Sequence, residues 1–159
     1  MKNPEDLQIN DKLPVVEKEP KIRASFAVVL NGKGEILLHL RADGLGWDLP
    51  GGGREKIGGK KESPKETLLR ETEEETGLKV RILGISKKFV NPEKSKATMV
   101  YLCAVESGEL RVSHESTEVR FFPFDQLPET LLPKQRVRIW EVLAERKLIT
   151  KNEIRSVEN

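Results

Sequence analysis

Residues 47–78 read WDLPGGGREKIGGKKESPKETLLRETEEETGL, and the second half of this stretch has well-marked helix boundaries. Ser63 can cap a helix, with Pro64 at the first helical position and Glu66 completing an S-x-x-E capping box. Gly77 stands where helices commonly end in the left-handed conformation. The sequence therefore predicts a helix between Ser63 and Gly77, preceded by a glycine-rich segment.

An acidic cluster lies on one face of this predicted helix. Glu71, Glu74 and Glu75 have the spacing i, i+3, i+4, which brings their carboxylates together, whereas Glu73 points elsewhere. Like charges at this spacing repel one another, and a hard divalent cation such as Mg²⁺, which prefers oxygen ligands, reverses that interaction. Arg70 can orient a carboxylate by a bidentate hydrogen bond. A solvated acidic face without a metal is the alternative interpretation.

The residues in front of the helix favour the metal interpretation. The run Pro50-Gly51-Gly52-Gly53 would let the backbone lie close to a ligand, so Gly51 and Gly52 are candidate substrate-binding residues. Trp47 could stack on a nucleobase, or its ring could simply pack in the core.

The whole stretch resembles the signature of the Nudix hydrolases, G-x5-E-x7-R-E-U-x-E-E-x-G-U, in which U is a bulky apolar residue. Glu62 is followed by seven residues and then by RETEEETGL at 70–78. The family also commonly has a Trp-x-Leu-Pro-Gly-Gly lead-in, which residues 47–52 match. This chain is identified as a MutT-like member of the family on these positions.

The match departs from the family pattern at two points. Nine residues separate Gly52 from Glu62 where the pattern has five, and Thr72 occupies an apolar position. The surplus, KIGGKK at 56–61, predicts a flexible basic loop beside the site. Neither departure removes a carboxylate, so we expect activity to survive. One hypothesis is that the loop lysines contact an extended or polyphosphate substrate; a mobile solvated loop is the alternative.

The resemblance implies a fold, a reaction and a set of site residues. The fold is an α/β/α sandwich with a mixed central β-sheet, and the reaction is hydrolysis of a nucleoside diphosphate linked to another group X, by attack of water on phosphorus. One to three Mg²⁺ or Mn²⁺ ions would neutralise the pyrophosphate. Glu74 and Glu75 would be the main metal ligands, Glu71 a ligand or the base held by Arg70, and Glu62 a direct or water-mediated support for the metal.

Residues outside the signature supply further candidates. The segment EVRFFPFDQLP at 118–128 resembles a block found downstream of many Nudix signatures, where an acidic residue often adds a metal ligand or base. Glu115 and Glu118 are both candidates; Glu118 fits the block better, and a charge at a strand start is its alternative. Arg41 could touch substrate phosphate or base, or be a surface cation. His39 is predicted to be a hydrogen-bonded structural histidine.

Hydrophobic patterning predicts four strands and a second helix outside the signature. A helix beginning after Pro133 would pack an apolar side on the sheet. That side is predicted to consist of Val137, Trp140, Val142 and Leu143. The strands are predicted over residues 22–30, 35–41, 78–90 with a break at Gly84, and 97–105, the most apolar and therefore central.

Length, composition and charge fit one folded domain. The chain has 159 residues with a net charge of +2, so we do not expect stable nucleic-acid binding. We divide it into an N-terminal arm (1–20), a Nudix domain (21–148) and a polar tail (149–159). The start lacks signal-peptide features, and no apolar stretch approaches the ~18 residues of a membrane span, so the expected location is cytoplasmic. A homodimer formed through the arm is a further hypothesis.

Two other classes of function compete with hydrolysis. A nucleotide-sensing Nudix domain that binds without cleaving usually lacks carboxylates of the signature, and this chain keeps them. An isoprenoid diphosphate isomerase is disfavoured because the single Cys103 lies in an apolar run that predicts a buried, inert thiol. The residues do not select X: oxidised nucleoside triphosphates, nucleotide sugars including ADP-ribose, dinucleoside polyphosphates and capped or triphosphorylated RNA all stay open.

Overall fold

The computed structural model describes residues 19–147. Its helices are α1 (Pro64–Thr76) and α2 (Pro133–Glu145). Its strands are β1 (Lys21–Leu30), β2 (Ile36–Arg41), β3 (Trp47–Asp48), β4 (Gly51–Gly53), β5 (Lys56–Ile57), β6 (Lys60–Lys61), β7 (Leu78–Asn91), β8 (Lys96–Gly108) and β9 (Ser116–Phe122).

The main sheet is mixed, as predicted. Its strand order is β3-β2-β1-β8-β7, with β4 paired to β1 and β9 paired to β2. Strands β1 and β8 run parallel, and the other pairs are antiparallel. The most apolar predicted strand is β8, which lies between β1 and β7. The break predicted at Gly84 is a shift in the β7–β8 register between Ile82 and Ser86 within a continuous strand.

One helix covers each face of the sheet, which confirms the α/β/α sandwich. Leu68 of α1 packs in a core cluster with Ala27, Val29 and Leu37, while α2 packs against the opposite side. The buried side of α2 differs from the predicted one, because Val137 is 41% exposed. The buried α2 positions are Gln135, Ile139, Trp140, Val142 and Leu143.

The predicted ends of α1 are confirmed. Ser63 and Glu66 form the reciprocal capping box, and Gly77 closes the helix with φ +82°. A Cβ atom at Gly77 would lie 2.2 Å from the carbonyl oxygen of Glu109, so only glycine fits there. Thr72, which stands at an apolar position of the signature, is buried, and its hydroxyl donates to the Leu68 carbonyl at 2.7 Å. The helix therefore tolerates this departure without an unpaired polar group.

The surplus segment of the signature is a β-hairpin, not the flexible loop that its composition predicted. Strands β5 and β6 pair antiparallel around Gly58 (φ +62°) and Gly59 (φ +80°). Two glycines with positive φ suit a tight hairpin turn whose twist matches the flanking strands. Glu55 and Glu62 close the base, because the Glu62 amide donates to the Glu55 carbonyl at 2.8 Å.

The predicted arm, apart from its last two residues, and the predicted tail lie outside the described residues. Neither helix of the described part has the length and apolar character needed to span a lipid bilayer.

Cys103 provides a test of the packing of β8. It is fully buried, and burial raises the pKa of its thiol to about 12. Because the thiolate is the reactive form, we expect a thiol reagent at pH 8 to leave the native protein unlabelled and to label it rapidly in guanidinium chloride. Absorbance at the reagent's wavelength measures both rates. Fast stoichiometric labelling of the native protein would contradict the described burial.

Candidate active site

A cleft of about 460 Å³ opens where the glycine strand β4 meets α1 and the segment before β9. The cleft is lined by the backbone of β4 and by charged side chains. The lining residues that matter for the chemistry are Arg41, Asp48, Gly51, Gly52, Glu75 and Glu115.

Three carboxylates converge at this cleft. Glu71 and Glu75 of α1 and Glu115, just before β9, each place one oxygen within 4.8 Å of the others. Glu75 is buried, Glu71 is partly buried and Glu115 is exposed. Carboxylates this close repel one another when ionised. Hard oxygen ligands suit Mg²⁺ or Mn²⁺, so the donor set fits a divalent cation.

Glu75 is fixed from both sides. The Gly51 amide donates to Oε1 at 2.8 Å, and Nε2 of the buried His39 lies 3.2 Å from Oε2. Burial raises the pKa of Glu75 to about 8 and lowers that of His39, so both groups favour their neutral forms in the absence of a cation. Nδ1 of His39 lies 2.8 Å from the Ser116 hydroxyl, which confirms the hydrogen-bonded histidine.

The glycines of β4 allow the backbone to approach the carboxylates. A Cβ atom at Gly52 would lie 2.7 Å from the carboxyl carbon of Glu71, and one at Gly51 would lie 2.2 Å from the Ser25 carbonyl oxygen. Such contacts would force the Glu71 side chain or the β1–β4 pairing to move. The two glycines therefore position candidate ligands in addition to lining the cleft.

Arg70 links the hairpin to the carboxylate cluster. Its guanidinium bonds both oxygens of Glu62, with Nε 2.7 Å from Oε2 and Nη2 2.9 Å from Oε1. Its Nη1 donates to Glu71 at 3.1 Å and to Glu74 at 3.0 Å. The Arg70 hydrogen bond holds the pKa of Glu62 down at about 2. Glu62 thus orients Arg70 and lies outside the three-carboxylate group, and its direct or water-mediated support of the metal stays a prediction.

The predicted main ligand Glu74 is also outside the group of three. Its side chain is 59% exposed and is held by Arg70 at the edge of the cleft. Trp47 is 6% exposed and packs edge-on against Phe122, with ring centroids 4.9 Å apart. The packing interpretation of Trp47 is therefore the one that the structure supports, and its ring is not available for a nucleobase.

The structure favours Glu115, rather than the preferred Glu118, as the acidic residue that joins the site. Glu118 pairs with Leu40 on β2, whose side chain packs on the α2 side of the sheet. Cross-strand partners point to the same face, so Glu118 faces away from α1. Its carboxylate lies 3.6 Å from Arg120 and is half exposed.

The family model of the NUDIX domain matches residues 20–145 of this chain. The chain belongs to the Nudix family.

Individual Nudix relatives agree with this assignment. A MutT-like protein of Streptomyces ambofaciens is 31% identical over 116 residues, which cover 73% of each sequence. A solved UDP-X diphosphatase is 26% identical with a TM-score of 0.62, over 92% of this chain and 73% of that one. A solved ADP-ribose pyrophosphatase from Streptococcus suis is 27% identical with a TM-score of 0.59, over 77% and 90% of the two chains. The predicted family, fold class and Nudix hydrolase type are confirmed.

A buried polar chain that sequence reasoning missed connects α2 of this Nudix hydrolase to the cleft. Gln135 donates to Asp48 at 2.7 Å and accepts from Arg138 at 3.1 Å. The other oxygen of Asp48 accepts from Arg41 at 3.1 Å, and Arg41 also bonds Asp43. Hydrogen bonds to Asp43 and then to Asp48 raise the pKa of Arg41, so the guanidinium in the cleft is held as a cation.

The sequence contains one indication of this hydrogen-bond network. Gln135 precedes Ile139 by four residues, so both lie on the same helical face, and that face is buried. A polar side chain on a buried face needs a hydrogen-bond partner. The partner, Asp48, lies in β3, and helical periodicity alone does not identify it.

The Arg70–Glu62 pair predicts a pH-dependent loss of stability in Glu62→Gln. At pH 7 the free energy of unfolding should fall by about 2 kcal/mol, since a hydrogen bond to a charged group contributes roughly 1.5–3 kcal/mol. Because the pKa of Glu62 is lowered from 4.5 to about 2, the wild-type contribution is present above pH 4.5 and is lost as the pH falls towards 2. Urea unfolding at pH 7 and pH 3 measures the difference.

The control for this measurement is Glu73→Gln, which removes the same charge from α1 at a side chain that makes no ion pair among the described residues. We expect it to change the free energy of unfolding by less than about 0.5 kcal/mol. A Glu62→Gln deficit that persists undiminished at pH 3 would rule out the ionised pair as its cause.

The Gln135 chain predicts a second loss of stability. Gln135→Leu keeps a side chain of similar size but leaves the buried Asp48 oxygen without its donor, so unfolding should become easier by about 1–3 kcal/mol. Gln126→Leu, at an exposed position, is the matched control. Equal urea midpoints for the two variants would show that the Gln135–Asp48 hydrogen bond contributes nothing to the free energy of unfolding.

Proposed function

We propose that this Nudix hydrolase cleaves the P–O–P bond of a nucleoside diphosphate linked to another group X, by attack of water on phosphorus, with Mg²⁺ or Mn²⁺ held by its acidic cluster. The observation that carries the proposal is the convergence of Glu71, Glu75 and Glu115 at a glycine-lined cleft. Two structural relatives are named for substrates of this kind, UDP-X and ADP-ribose.

The three carboxylates are the residues that would hold the cation. They bring oxygens within 4.8 Å of one another, and the buried one, Glu75, forms no ion pair with a lysine or arginine among residues 19–147. When bound, a divalent cation neutralises phosphate charge and lowers the pKa of water. We assign the exposed Glu74 to a second ion, because it lies on the same face of α1 and shares the Arg70 guanidinium with Glu71.

Glu75 and Glu71 have different supports, which suggests different roles. Glu75 accepts the Gly51 amide and contacts His39, so its carboxylate is held in one orientation and serves as a ligand. Glu71 accepts from Arg70 and is partly buried, and burial raises its pKa. Glu71 lies in the carboxylate cluster and is oriented by Arg70, so it can accept a proton from the attacking water as well as act as a ligand.

Substrate contacts are assigned to Arg41 and to the β4 backbone beside the carboxylates. Arg41 presents a guanidinium in the cleft, where it can donate to phosphate oxygens or to the base while Asp48 holds it from behind. Gly51 and Gly52 lack side chains, so a phosphate can approach the β4 backbone closely. A nucleotide sensor without hydrolysis would need none of the cation-binding oxygens, and the chain retains all of them.

The proposal predicts the effect of isosteric substitutions in the cluster. Glu75→Gln and Glu115→Gln should each lower Mg²⁺-dependent kcat by about 100-fold or more, because they remove charge that stabilises the transition state through the cation. Mass spectrometry of the products from a panel of nucleoside diphosphate derivatives measures turnover. A thermal melt with Mg²⁺ supplies a second readout, since the ion should raise the Tm of the wild type but not that of Glu75→Gln.

Glu118→Gln is the matched control, because it makes the same change three residues from Glu115 but on the other face of the sheet. It should retain kcat within about threefold. Near-normal Mg²⁺-dependent turnover in both Glu75→Gln and Glu115→Gln would overturn the assignment. A larger loss of kcat in Glu118→Gln than in Glu115→Gln would favour Glu118, the residue that the sequence pattern favours, as the acidic residue of the site.

A further inference from the structure

The hairpin β5–β6 carries lysines that oppose one another. Lys56 of β5 pairs directly with Lys61 of β6, and Ile57 pairs with Lys60. Like charges directly opposite in a strand pair are destabilising, so the repulsion between Lys56 and Lys61 lowers the stability of this hairpin. All four side chains are exposed. An anion that bridges the lysines would remove the repulsion.

The hairpin is anchored at its base, so its lysines are presented at a fixed place. Arg54 follows β4, and its guanidinium donates to the Glu62 carbonyl at 2.7 Å and to the Ile22 carbonyl at 3.1 Å. The Glu55 amide donates to the Glu62 carboxylate at 2.9 Å. The hairpin is thereby tied both to β1 and to the residue that orients Arg70.

The start of β1 extends the positive charge of the hairpin. The Arg54 amide donates to the Arg23 carbonyl at 3.0 Å, which places β1 beside the base of the hairpin. Desolvation, and then the charges of Arg54, Arg23 and Lys21, lower the pKa of Lys61. We name this surface the basic face, and it consists of Lys21, Arg23, Lys56, Lys60 and Lys61. Within residues 19–147, no carboxylate forms an ion pair with any member of it.

The basic face lies close to the cleft. Gly52, which touches Glu71, is four residues from Lys56, and four extended residues span at most about 14 Å. Lys61 is adjacent in sequence to Glu62, the partner of Arg70. A substrate whose reacting diphosphate lies at the carboxylate cluster can therefore extend further phosphates to the basic face.

The chemistry of the basic face favours phosphate groups over nucleobases. Proteins that bind single-stranded nucleic acid combine positive charge with aromatic side chains on which bases stack. Among residues 19–147, none of the exposed large apolar side chains is aromatic, and the one on the hairpin is Ile57. The surface therefore offers charge without a stacking platform.

We propose that the basic face binds phosphate groups carried by X, so that the protein prefers nucleoside diphosphates extended by further phosphates over those whose second group is uncharged. This inference rests on the proposed function, because it names the class of X for the same cleft.

The test compares two dinucleotides that differ only in the length of their phosphate bridge, diadenosine diphosphate and diadenosine tetraphosphate. The hairpin variant is Lys56→Gln/Lys60→Gln/Lys61→Gln. Its KM for the tetraphosphate should rise by about tenfold, as expected when a charged surface no longer concentrates its ligand. Its KM for the diphosphate and its kcat for both substrates should stay within about twofold of the wild type.

The control variant is Lys33→Gln/Lys79→Gln/Lys134→Gln, which makes the same change in net charge at exposed lysines outside the basic face. It should leave both KM values unchanged. The Tm of the hairpin variant should not fall, because the substitution relieves the Lys56–Lys61 repulsion. A tetraphosphate KM that is the same in the hairpin variant and the wild type overturns the proposal and leaves the proposed function intact.

A binding measurement separates this inference from hydrolysis. Calorimetry with inorganic tripolyphosphate in EDTA should show binding to the wild type and the control variant, and at least about tenfold weaker binding to the hairpin variant. If neither dinucleotide is hydrolysed and no member of the nucleoside diphosphate panel is hydrolysed either, the proposed function fails. The tripolyphosphate result alone then decides whether the basic face binds phosphates. If oligothymidylate binds through the same lysines about tenfold more tightly per phosphate, the face serves nucleic acid and the proposal is overturned.

Discussion

The ion pair between Arg70 and Glu62 is the contact on which the site depends. The carboxylate is almost fully buried and the guanidinium is mostly buried, so both charges have left water at a considerable desolvation cost. The bidentate geometry of the pair offsets that cost. Each partner also makes a further hydrogen bond: Glu62 accepts from the Glu55 amide at the base of the hairpin, and Arg70 donates to Glu71. One pair thus joins the inserted hairpin, the helix and the cleft.

The protein divides its acidic residues into two electrostatic classes. Glu62, paired with arginine, has a lowered pKa and serves the structure. Glu71 and Glu75 have raised pKa values, chiefly because burial disfavours their charged forms, and the carboxylate of Glu115 lies nearby. Groups held in an environment that opposes their ionisation are candidates for function. Close carboxylates repel one another when no cation is present, and the same closeness lets their oxygens bind one divalent cation together.

Local sequence rules predicted much of the fold, and they failed where distant elements meet. Capping chemistry located both ends of α1. The apolar run of β8 predicted an interior strand, and β8 does have a neighbour on each side, although it lies next to the edge strand β7. Val137 was assigned to the buried side of α2, whereas the sheet selects the face of Ile139. The polar composition of segment 56–61 predicts flexibility, whereas Gly58 and Gly59 form a tight turn that pairs its two halves as a hairpin.

The sequence alone determined the helix, its acidic face and the membership of the family, because all three follow from one continuous stretch, residues 47–78. The tertiary structure decided which carboxylates meet. Glu115 is forty positions from Glu75 in sequence, and the pairing of β9 with β2 brings it to the cleft while turning Glu118 to the other face. Glu118 takes the face of its partner Leu40, whereas Glu115 lies just beyond the register shift at the start of β9, so the register of that pairing determines which glutamate faces the site.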